Sequence, residues 1–216
     1  MKLGVLGTGS VGTALGSGFV KAGHEVRMGS RDAGNEKGKA WATAAGPGAS
    51  SGDFADAAGF GEIVFNATAG AGAVAAVRAA GRENLRGKIL VDVSNPLDFS
   101  RGMPPTLFTA AAGDSLAERI QAEVPETKVV KTLNTINASL MLDPARVGGD
   151  SDLFIAGNDT AAKERVTTLL KEFGWKRVLD LGDSTAARGM EAYVLFWLQL
   201  YMAQKTPDFN IRIVKR

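Results

Sequence analysis

Residues 2–31 read KLGVLGTGSVGTALGSGFVKAGHEVRMGSR, and this stretch decides how the rest of the chain folds. Its first residues form an apolar run typical of a buried strand, and the residues after Gly12 are typical of a helix. Between them, the segment Gly7-Thr8-Gly9-Ser10-Val11-Gly12 has the spacing G-x-G-x-x-G. A second strand-like run follows the helix. Strand, glycine loop, helix and strand in this order predict a dinucleotide-binding crossover.

Each glycine of this loop has its own physical reason. Gly7 permits the tight turn out of the strand, Gly9 lets a pyrophosphate approach the backbone, and Gly12 lets the helix pack closely on the strand. The N–H groups of the first helical turn, supported by the helix dipole, then face the phosphates. A glycine-rich structural turn is the alternative, but the strand on either side favours a binding site.

The end of the second strand indicates which dinucleotide binds. An NAD site has Asp or Glu there to bond the ribose 2′-hydroxyl, whereas this chain has Ser30 and Arg31. A hydroxyl and a guanidinium hold a 2′-phosphate, and Lys37 lies close enough in sequence to add charge. Two alternatives stay open: Asp32 could reach the ribose instead, and Arg31 could be a solvated loop cation. We predict a preference for NADP, which comparing the dissociation constants of NADP and NAD would test.

The composition excludes several classes of protein. The chain has 216 residues with 45% hydrophobic content, enough for a sizeable core, and a formal net charge of only +2. Its Lys and Arg residues are scattered, so we expect no nucleic-acid or membrane partner. The longest apolar stretch, residues 192–203, is shorter than the roughly 20 residues that span a bilayer. Because a strand starts at residue 2, leaving no room for a signal peptide, we expect a cytoplasmic location.

Cysteine and histidine usage limits the chemistry. The chain has no cysteine, which excludes disulfides, thiolate catalysis and thiolate-bound metals. Its single histidine, His24, follows Gly23 in the turn before the second strand, at the edge of the sheet away from ligands, so we expect a surface residue. A Ser-His-Asp triad or a histidine-ligated metal site cannot be built from one histidine. We therefore assign no side chain as a catalytic acid or base, and none as a metal ligand.

Strands and helices alternate along the chain. This alternation predicts an α/β Rossmann fold, with a doubly wound parallel sheet and helices on both faces. We expect residues 1–182 to form the NADP-binding domain and residues 183–216 a small helical C-terminal extension. Residues 97–114 are long for a loop, which indicates a lid or binding loop. Strands are predicted at 2–6, 26–28, 49–51, 62–67, 88–93, 128–133, 151–156 and 175–181, and helices at 13–22, 35–45, 53–59, 73–81, 115–123, 160–173 and 184–204.

Small or polar residues follow several predicted strands. Besides the glycine loop, these are Thr68-Ala69-Gly70, Ser94-Asn95-Pro96 and Asn134-Thr135. Because the carboxyl ends of parallel strands share one edge, we expect these segments to contact the ribose and carboxamide of the nucleotide. Helix capping and turn formation are the alternative at each position. Their recurrence at one edge favours binding.

The last predicted helix is apolar on nearly every face. Its core, residues 190–202, reads MEAYVLFWLQLYM. A helix of this kind must be covered on all sides. We expect part of that cover to come from a second subunit or from a bulky flat substrate, with simple core packing in a monomer as the alternative.

The order of these motifs resembles the NADPH-dependent reductases of the deazaflavin coenzyme F420, and the related cytoplasmic module of the membrane ferric reductases. The resemblance covers most of the chain, although the middle loop and the last helix are not close matches. It implies a Rossmann domain with a small C-terminal extension, commonly dimeric, and direct hydride transfer between NADPH and a flavin-like ring. The segments that carry it are residues 7–12, 29–31, 91–96, 129–134 and 156–183.

The resemblance also implies roles for single residues. Lys37 does not stand at quite the family's spacing after Arg31. The implied contacts are Thr8, Ser10 and Val11 with the pyrophosphate, Ser30, Arg31 and Lys37 with the 2′-phosphate, and Ala69, Asn95 and Thr135 with the ribose and nicotinamide.

Hydride transfer suits this composition, because it needs proximity, orientation and exclusion of water rather than a histidine acid or a metal. A short-chain dehydrogenase would use Tyr-x-x-x-Lys, which Tyr201 and Lys205 match, but the glycine spacing differs from that class. A hydroxyacid or pyrroline-carboxylate reductase would need a large helical second domain. A non-enzymatic NADP(H)-binding sensor and a flavin-mediated ferric reductase remain as alternatives. The identity of the hydride acceptor, the direction of transfer and the oligomeric state stay open.

Overall fold

Eight strands form one sheet in the computed structural model, which describes residues 1–215. Residue 216, the last of the predicted C-terminal extension, lies outside the described residues. Across the sheet the strands follow the order β10-β9-β8-β5-β4-β1-β2-β3, and β6 and β7 form a separate hairpin. The strands are β1 (Lys2–Leu6), β2 (Glu25–Ser30), β3 (Ala49–Asp53), β4 (Ile63–Asn66), β5 (Ile89–Asp92), β6 (Leu97–Asp98), β7 (Thr106–Leu107), β8 (Lys128–Thr132), β9 (Asp152–Ala156) and β10 (Arg177–Asp180).

Helices cover both faces of the sheet. Alternate residues of the central strands enter two separate apolar clusters, as Val64 and Phe65 of β4 do. One cluster includes residues of α1, α2 and α7, and the other includes residues of α3 to α6. The helices are α1 (Ser10–Lys21), α2 (Glu36–Ala45), α3 (Phe54–Phe60), α4 (Gly70–Ala80), α5 (Arg82–Leu85), α6 (Leu116–Glu123), α7 (Thr160–Glu172) and α8 (Ala187–Gln204). The doubly wound Rossmann architecture is thus confirmed.

The direction of two strands differs from the prediction of a parallel sheet. β1 to β5 and β8 run parallel, but β9 pairs antiparallel with β8, and β10 pairs parallel with β9. A parallel return needs a crossover long enough to bring the chain back to the opposite edge. The connection from β8 to β9 holds only the short 3-10 helices Ala138–Leu140 and Pro144–Val147. The chain therefore re-enters the sheet from the edge at which β8 ends.

Several predicted boundaries also shift. Helix α1 begins at Ser10, three residues before the prediction, and α4 begins at Gly70, so both helices start directly at their glycine-containing loops. The predicted long loop at residues 97–114 contains the β6–β7 hairpin and a 3-10 turn. The final helix starts at Ala187 after a separate 3-10 turn.

His24 lies in the predicted turn, but the prediction of a surface side chain is wrong. Only 10% of the side chain is exposed. Its ring packs between Phe19 and Phe173, with ring centroids 6.2 and 6.4 Å away. The imidazole Nε2 lies 3.5 Å from a carboxylate oxygen of Glu172, and Nδ1 lies 3.4 Å from the N-terminal amine of Met1. His24 thus closes the core beneath α1 and α7, away from the ligand edge.

The last helix, α8, is only partly covered. Its buried side chains are Ala187, Met190, Glu191 and Val194, whereas Phe196 is 56% exposed. Beyond α8, residues 206–215 turn back, and the carbonyl of Ile211 accepts a hydrogen bond from the N–H of Asp152 at 2.9 Å. Among residues 1–215, no helix combines the length and apolar character that a membrane crossing requires.

Candidate functional site

The carboxyl ends of β1, β2, β4, β5 and β8 meet at one edge of the sheet, because these strands run parallel. The predicted site residues fall into two groups along this edge. Residues 7–12 and 30–37 form what we call the glycine-loop end. Residues 66–70, 92–96, 131–135 and 190–191 form what we call the polar-network end.

The three glycines of the loop differ in the space around them. Gly7 has φ +118°, a conformation that side chains disfavour, and a Cβ there would lie 2.7 Å from the carbonyl oxygen of Ala67. A Cβ on Gly12 would overlap the carbonyl oxygen of Gly7. Around Gly9, in contrast, no atom of the described residues lies within 4 Å of the corresponding position, apart from atoms of Gly9 itself and its two chain neighbours. Gly7 and Gly12 are therefore needed for folding, whereas Gly9 leaves open space beside the backbone.

The start of α1 is suited to an anion. Gly9 is the N-cap residue and offers no side chain to bond the first amides, and the first turn carries no acidic residue. Thr8 and Val11 are half-buried and Ser10 is exposed. Uncapped N–H groups and the positive end of the helix dipole favour a phosphate at this position.

The turn after β2 and the first turn of α2 each present an exposed cation. Arg31 and Lys37 are both exposed, while Ser30 is 7% exposed and its Oγ donates to the carbonyl oxygen of Asp32 at 2.6 Å. The Asp32 carboxylate accepts a hydrogen bond from the N–H of Gly34 at 2.8 Å, within its own turn. This bond holds one oxygen of the carboxylate within its own turn.

A groove flanks the glycine-loop end between α1 and α2. It has a volume of about 560 Å³, and its lining includes Thr8, Lys37 and Trp41. The indole Nε1 of Trp41 donates to the Oγ of Ser17 at 3.0 Å, which joins the two helices. The groove therefore places Lys37 and Thr8 on one continuous surface.

Hydrogen-bonded side chains join the ends of β4 and β5. One carboxylate oxygen of Asp92 accepts from Asn66 Nδ2 at 3.0 Å and from Ser94 Oγ at 2.7 Å. The amide oxygen of Asn66 in turn accepts from Thr68 Oγ1 at 2.7 Å. Because the hydroxyls of Ser94 and Thr68 are used inside this network, these residues meet a ligand mainly through their backbone.

Lys131 binds the second oxygen of Asp92. Its Nζ lies 2.7 Å from Asp92 Oδ2, 2.5 Å from the carbonyl oxygen of Ser94 and 3.0 Å from Glu191 Oε1. Lys131 is 1% exposed, Asp92 0% and Glu191 1%. Burial alone would lower the pKa of Lys131, but the charges of Asp92 and Glu191 outweigh it and raise the pKa above its usual value. The two carboxylates thus favour the ammonium form of Lys131.

Glu191 connects the last helix to α6. Its two carboxylate oxygens accept from the N–H groups of Leu116 at 2.8 Å and Ala117 at 3.1 Å, which are the first residues of α6. A carboxylate at a helix N-terminus is favoured by the helix dipole. Glu191 thus acts as a cap that α8 supplies to another helix, which explains a charged residue on the buried side of an apolar helix.

Two asparagines join the ends of β5 and β8. Asn95 Nδ2 donates to the carbonyl oxygen of Asn134 at 2.8 Å, and Asn134 Nδ2 donates to Asn95 Oδ1 at 2.9 Å. Asn134 also donates to the carbonyl oxygen of Met190 at 3.0 Å. Leu133, between β8 and Asn134, has φ +61°, a strained conformation typical of functional sites. Thr135 is 3% exposed.

The remaining predicted residues lie between these loops. A Cβ on Gly70 would overlap the carbonyl oxygen of Asn95, so the two loops touch. Ala69 is exposed and begins α4 without a side-chain cap. The carbonyl oxygen of Pro96 accepts from the N–H of Phe108 at 3.0 Å, which ties the edge to the segment after β7. In the described part of the chain, no three His, Cys, Asp or Glu side chains are grouped so that they could hold a metal ion.

Comparison with known proteins identifies the family. The profile of the family described as NADP oxidoreductase, coenzyme F420-dependent, matches residues 2–96. An F420-dependent NADP reductase of Methanothermobacter marburgensis is 30% identical over 225 residues, which cover 99% of this chain and 98% of that protein. The chain belongs to the family of F420-dependent NADP reductases. It is therefore an NADP-dependent oxidoreductase, and the predicted family and cofactor are confirmed.

Two further proteins are similar to this chain. One is a protein of Arthrobacter sp. FB24, whose crystal structure is described as that of a candidate F420-dependent NADP reductase. Its sequence is 51% identical to this chain, and the two structures superimpose with a TM-score of 0.93 over 100% of both chains. Metalloreductase STEAP3 of Rattus norvegicus is 30% identical over 204 residues, which cover 90% of this chain and 36% of that protein. The predicted relation to a ferric-reductase module thus has a counterpart among known proteins.

The sequence prediction missed the buried half of this site. Asn66, Asp92, Lys131 and Glu191 lie within predicted strands or the last helix and received no role. A polar residue inside an otherwise apolar strand or helix was the available signal, because a buried charge requires a partner. The sequence does not show which of these residues meet.

Proposed function

We propose that this F420-dependent NADP reductase family member transfers a hydride between NADPH and a deazaflavin or flavin-like acceptor. The observation that carries the proposal is the match over nearly all of both chains to a protein named F420-dependent NADP reductase. Two features of the structure support it: the open space at Gly9 beside an uncapped helix, and the exposed Arg31 at the end of β2.

We propose that the glycine-loop end holds the phosphates. The backbone of residues 7–12 would bind the pyrophosphate, because its N–H groups point along the helix dipole. Ser30, Arg31 and Lys37 would bind the 2′-phosphate, and Arg31 contributes a planar fork of donors that suits phosphate. The exposure of both cations supports this role.

The polar-network end would hold the ribose and nicotinamide. The residues we assign to it are Thr68, Ala69, Ser94, Asn95, Pro96, Asn134 and Thr135. NADPH, when bound, supplies the hydride, and these residues orient the ring and exclude water. The paired amides of Asn95 and Asn134 hold two strand ends together, which keeps this surface preorganised.

We propose that residues 183–215 help to bind the acceptor and form a homodimer. Trp197 stacks between Tyr201 and Phe209 at centroid distances of 5.7 and 5.3 Å. The Oη of Tyr193 and the Nε1 of Trp197 are buried without a hydrogen-bond partner among residues 1–215. Burial also raises the pKa of Tyr193. The ring of Phe196, 6.0 Å from that of Tyr193, is 56% exposed and gives this helix an apolar surface that a further molecule can cover.

An acceptor assay tests the proposed reaction. The protein is mixed with NADPH under anaerobic conditions and supplied separately with coenzyme F420, FMN or ferric citrate with FMN, and the absorbance of NADPH is followed. We expect fastest oxidation with the deazaflavin. Faster oxidation with FMN or iron would instead support a ferric reductase, and oxidation with none of them would support an NADP(H)-binding sensor.

The oligomeric state needs its own test. We expect light scattering after size-exclusion chromatography to give the mass of a dimer, and Phe196→Glu to give that of a monomer. A monomeric wild-type protein would contradict the dimer and leave the acceptor role of α8 to the assay above.

A further inference from the structure

Lys131 lies where residues 94–96 and the last helix meet. It precedes the final residue of β8, and its three ammonium donors go to Asp92, to the carbonyl oxygen of Ser94 and to Glu191. A lysine has three N–H donors, so the group is fully used within the protein. It cannot contact a ligand without giving up one of these bonds.

The burial of all three charged groups makes this arrangement rigid. Removing one member of a buried ion network leaves an uncompensated charge, which costs far more than an exposed pair. Two carboxylates face one ammonium group here, and the N–H groups of Leu116 and Ala117 at the start of α6 offset part of the remaining negative charge. The positions of Ser94 and Glu191 are therefore tied to that of Lys131.

The network reaches only the polar-network end of the site. Through Ser94 it supports the 94–96 loop, and through Glu191 it holds α8 next to Met190, whose carbonyl oxygen accepts from Asn134. Ser30 is bonded instead within its own turn, to Asp32. A disturbance at Lys131 should therefore alter the polar-network end and spare the glycine-loop end.

We propose that Lys131 is a positioning residue for the nicotinamide half of NADP(H). It holds the 94–96 loop and α8 in a fixed relation, so that the nicotinamide and the acceptor meet in one geometry. This inference rests on the proposed function, because it assumes that the polar-network end receives the nicotinamide.

The chain offers a matched control in Lys163. Its Nζ also binds one carboxylate and one carbonyl oxygen, Asp180 Oδ1 at 2.8 Å and the carbonyl of Gly182 at 2.9 Å, and the residue is 7% exposed. Asp180 ends β10 and Gly182 follows it, and β10 is the edge strand, separated from β8 by β9, so Lys163 belongs to neither end of the site. Loss of its ammonium group should affect stability alone.

Titration with two nucleotides tests the two ends of the site separately. NADP contains the nicotinamide, whereas adenosine 2′,5′-bisphosphate retains only the adenine, ribose and 2′-phosphate half. Calorimetric titration of the wild-type protein, Lys131→Met and Lys163→Met with both nucleotides gives six dissociation constants. For Lys131→Met we expect NADP affinity to fall about tenfold, the scale of one lost charge-assisted hydrogen bond, with bisphosphate affinity unchanged. For Lys163→Met we expect both affinities unchanged.

The outcomes distinguish this inference from the proposed function. If Lys131→Met lowers the affinities for both nucleotides equally, or lowers neither, then Lys131 does not position the nicotinamide half. NADP binding by the wild-type protein, and with it the proposed function, would be unaffected by that result. If the wild-type protein binds neither nucleotide, the proposed function fails and this inference with it. Should Lys131→Met not fold, Glu191→Gln retains the Lys131–Asp92 pair. Glu191→Gln should lower the affinity for NADP about threefold and leave the affinity for the bisphosphate unchanged. An unchanged NADP affinity would overturn the inference.

Discussion

The glycine-loop end of the site is built mainly from backbone and exposed side chains, whereas the polar-network end is built mainly from buried side chains of four segments. At the first end, Gly9 leaves space and Arg31 is exposed. At the second, Asp92, Lys131 and Glu191 are almost fully buried and bonded to one another. Under the proposed function, the comparison means that one edge of the sheet recognises phosphates by charge and positions a ring by rigidity.

A substitution in the glycine loop should give the largest effect, which is on the free energy of unfolding. Gly12→Ala should lower the free energy of unfolding by about 3 kcal/mol, because the new Cβ would overlap the carbonyl oxygen of Gly7. Gly9→Ala is the control, since its Cβ meets open space and should change the unfolding free energy by less than about 0.5 kcal/mol. Urea unfolding measures both. Equal stability of the two variants would contradict the assigned roles of the glycines.

Removing the positive charge of Arg31 at the glycine-loop end should give the next largest effect, which is on NADPH affinity. Arg31→Ala should weaken NADPH binding about thirtyfold, the loss of roughly 2 kcal/mol from charge-assisted hydrogen bonds, and leave NADH binding unchanged. Arg165→Ala, which removes an exposed guanidinium from α7, should change neither affinity. Fluorescence titration of both nucleotides measures the effect. A similar loss of affinity for NADH would show that Arg31 does not bind the 2′-phosphate.

A variant at the polar-network end should affect turnover. Asn95→Ala removes the reciprocal bonds to Asn134, so kcat should fall about tenfold through misorientation without vanishing. The control is Asn158→Ala, which loses a bond to the N–H of Ser184 away from the ligand edge. Steady-state kinetics at saturating NADPH measures the change. Complete loss of turnover with NADP binding intact would instead indicate an acid or base role for Asn95.

Substitution of Asp152, which lies outside both ends of the site, should give the smallest effect. Burial raises the pKa of Asp152, but hydrogen bonds from Arg177 and from the N–H of Ile213 outweigh it and hold the pKa below its usual value. A depressed carboxyl pKa adds stability above the unfolded pKa, and this stability is lost as pH falls through the folded pKa. Asp152→Asn should therefore cost up to about 1 kcal/mol at pH 6, and less as pH falls below about 4.

Urea unfolding of the wild-type protein and Asp152→Asn between pH 6 and pH 3 measures this difference. A gap that widens on acidification would reverse the sign assigned to Asp152. NADP affinity at pH 6 should be equal in the two proteins, because Asp152 belongs to neither end of the crevice.

Much of the fold could be predicted because its signals are local. The apolar run of β1, the spacing of Gly7, Gly9 and Gly12, and the alternation of elements each depend on neighbouring residues. The direction of β9 could not be predicted, because it depends on a connection that forms 3-10 turns instead of a crossover helix. The burial of His24 likewise depends on Phe173, far along the chain.

The candidate site divides in the same way. By itself the sequence determined the Rossmann crossover and the placing of Ser30 and Arg31 at the end of β2, because short-range backbone sterics settle these features. Only the tertiary structure decided that Lys131 meets Asp92, 39 residues away, and that Glu191 caps α6, 75 residues before it. Buried charges must find partners, but which partners they find depends on how the strands and α8 are arranged in space.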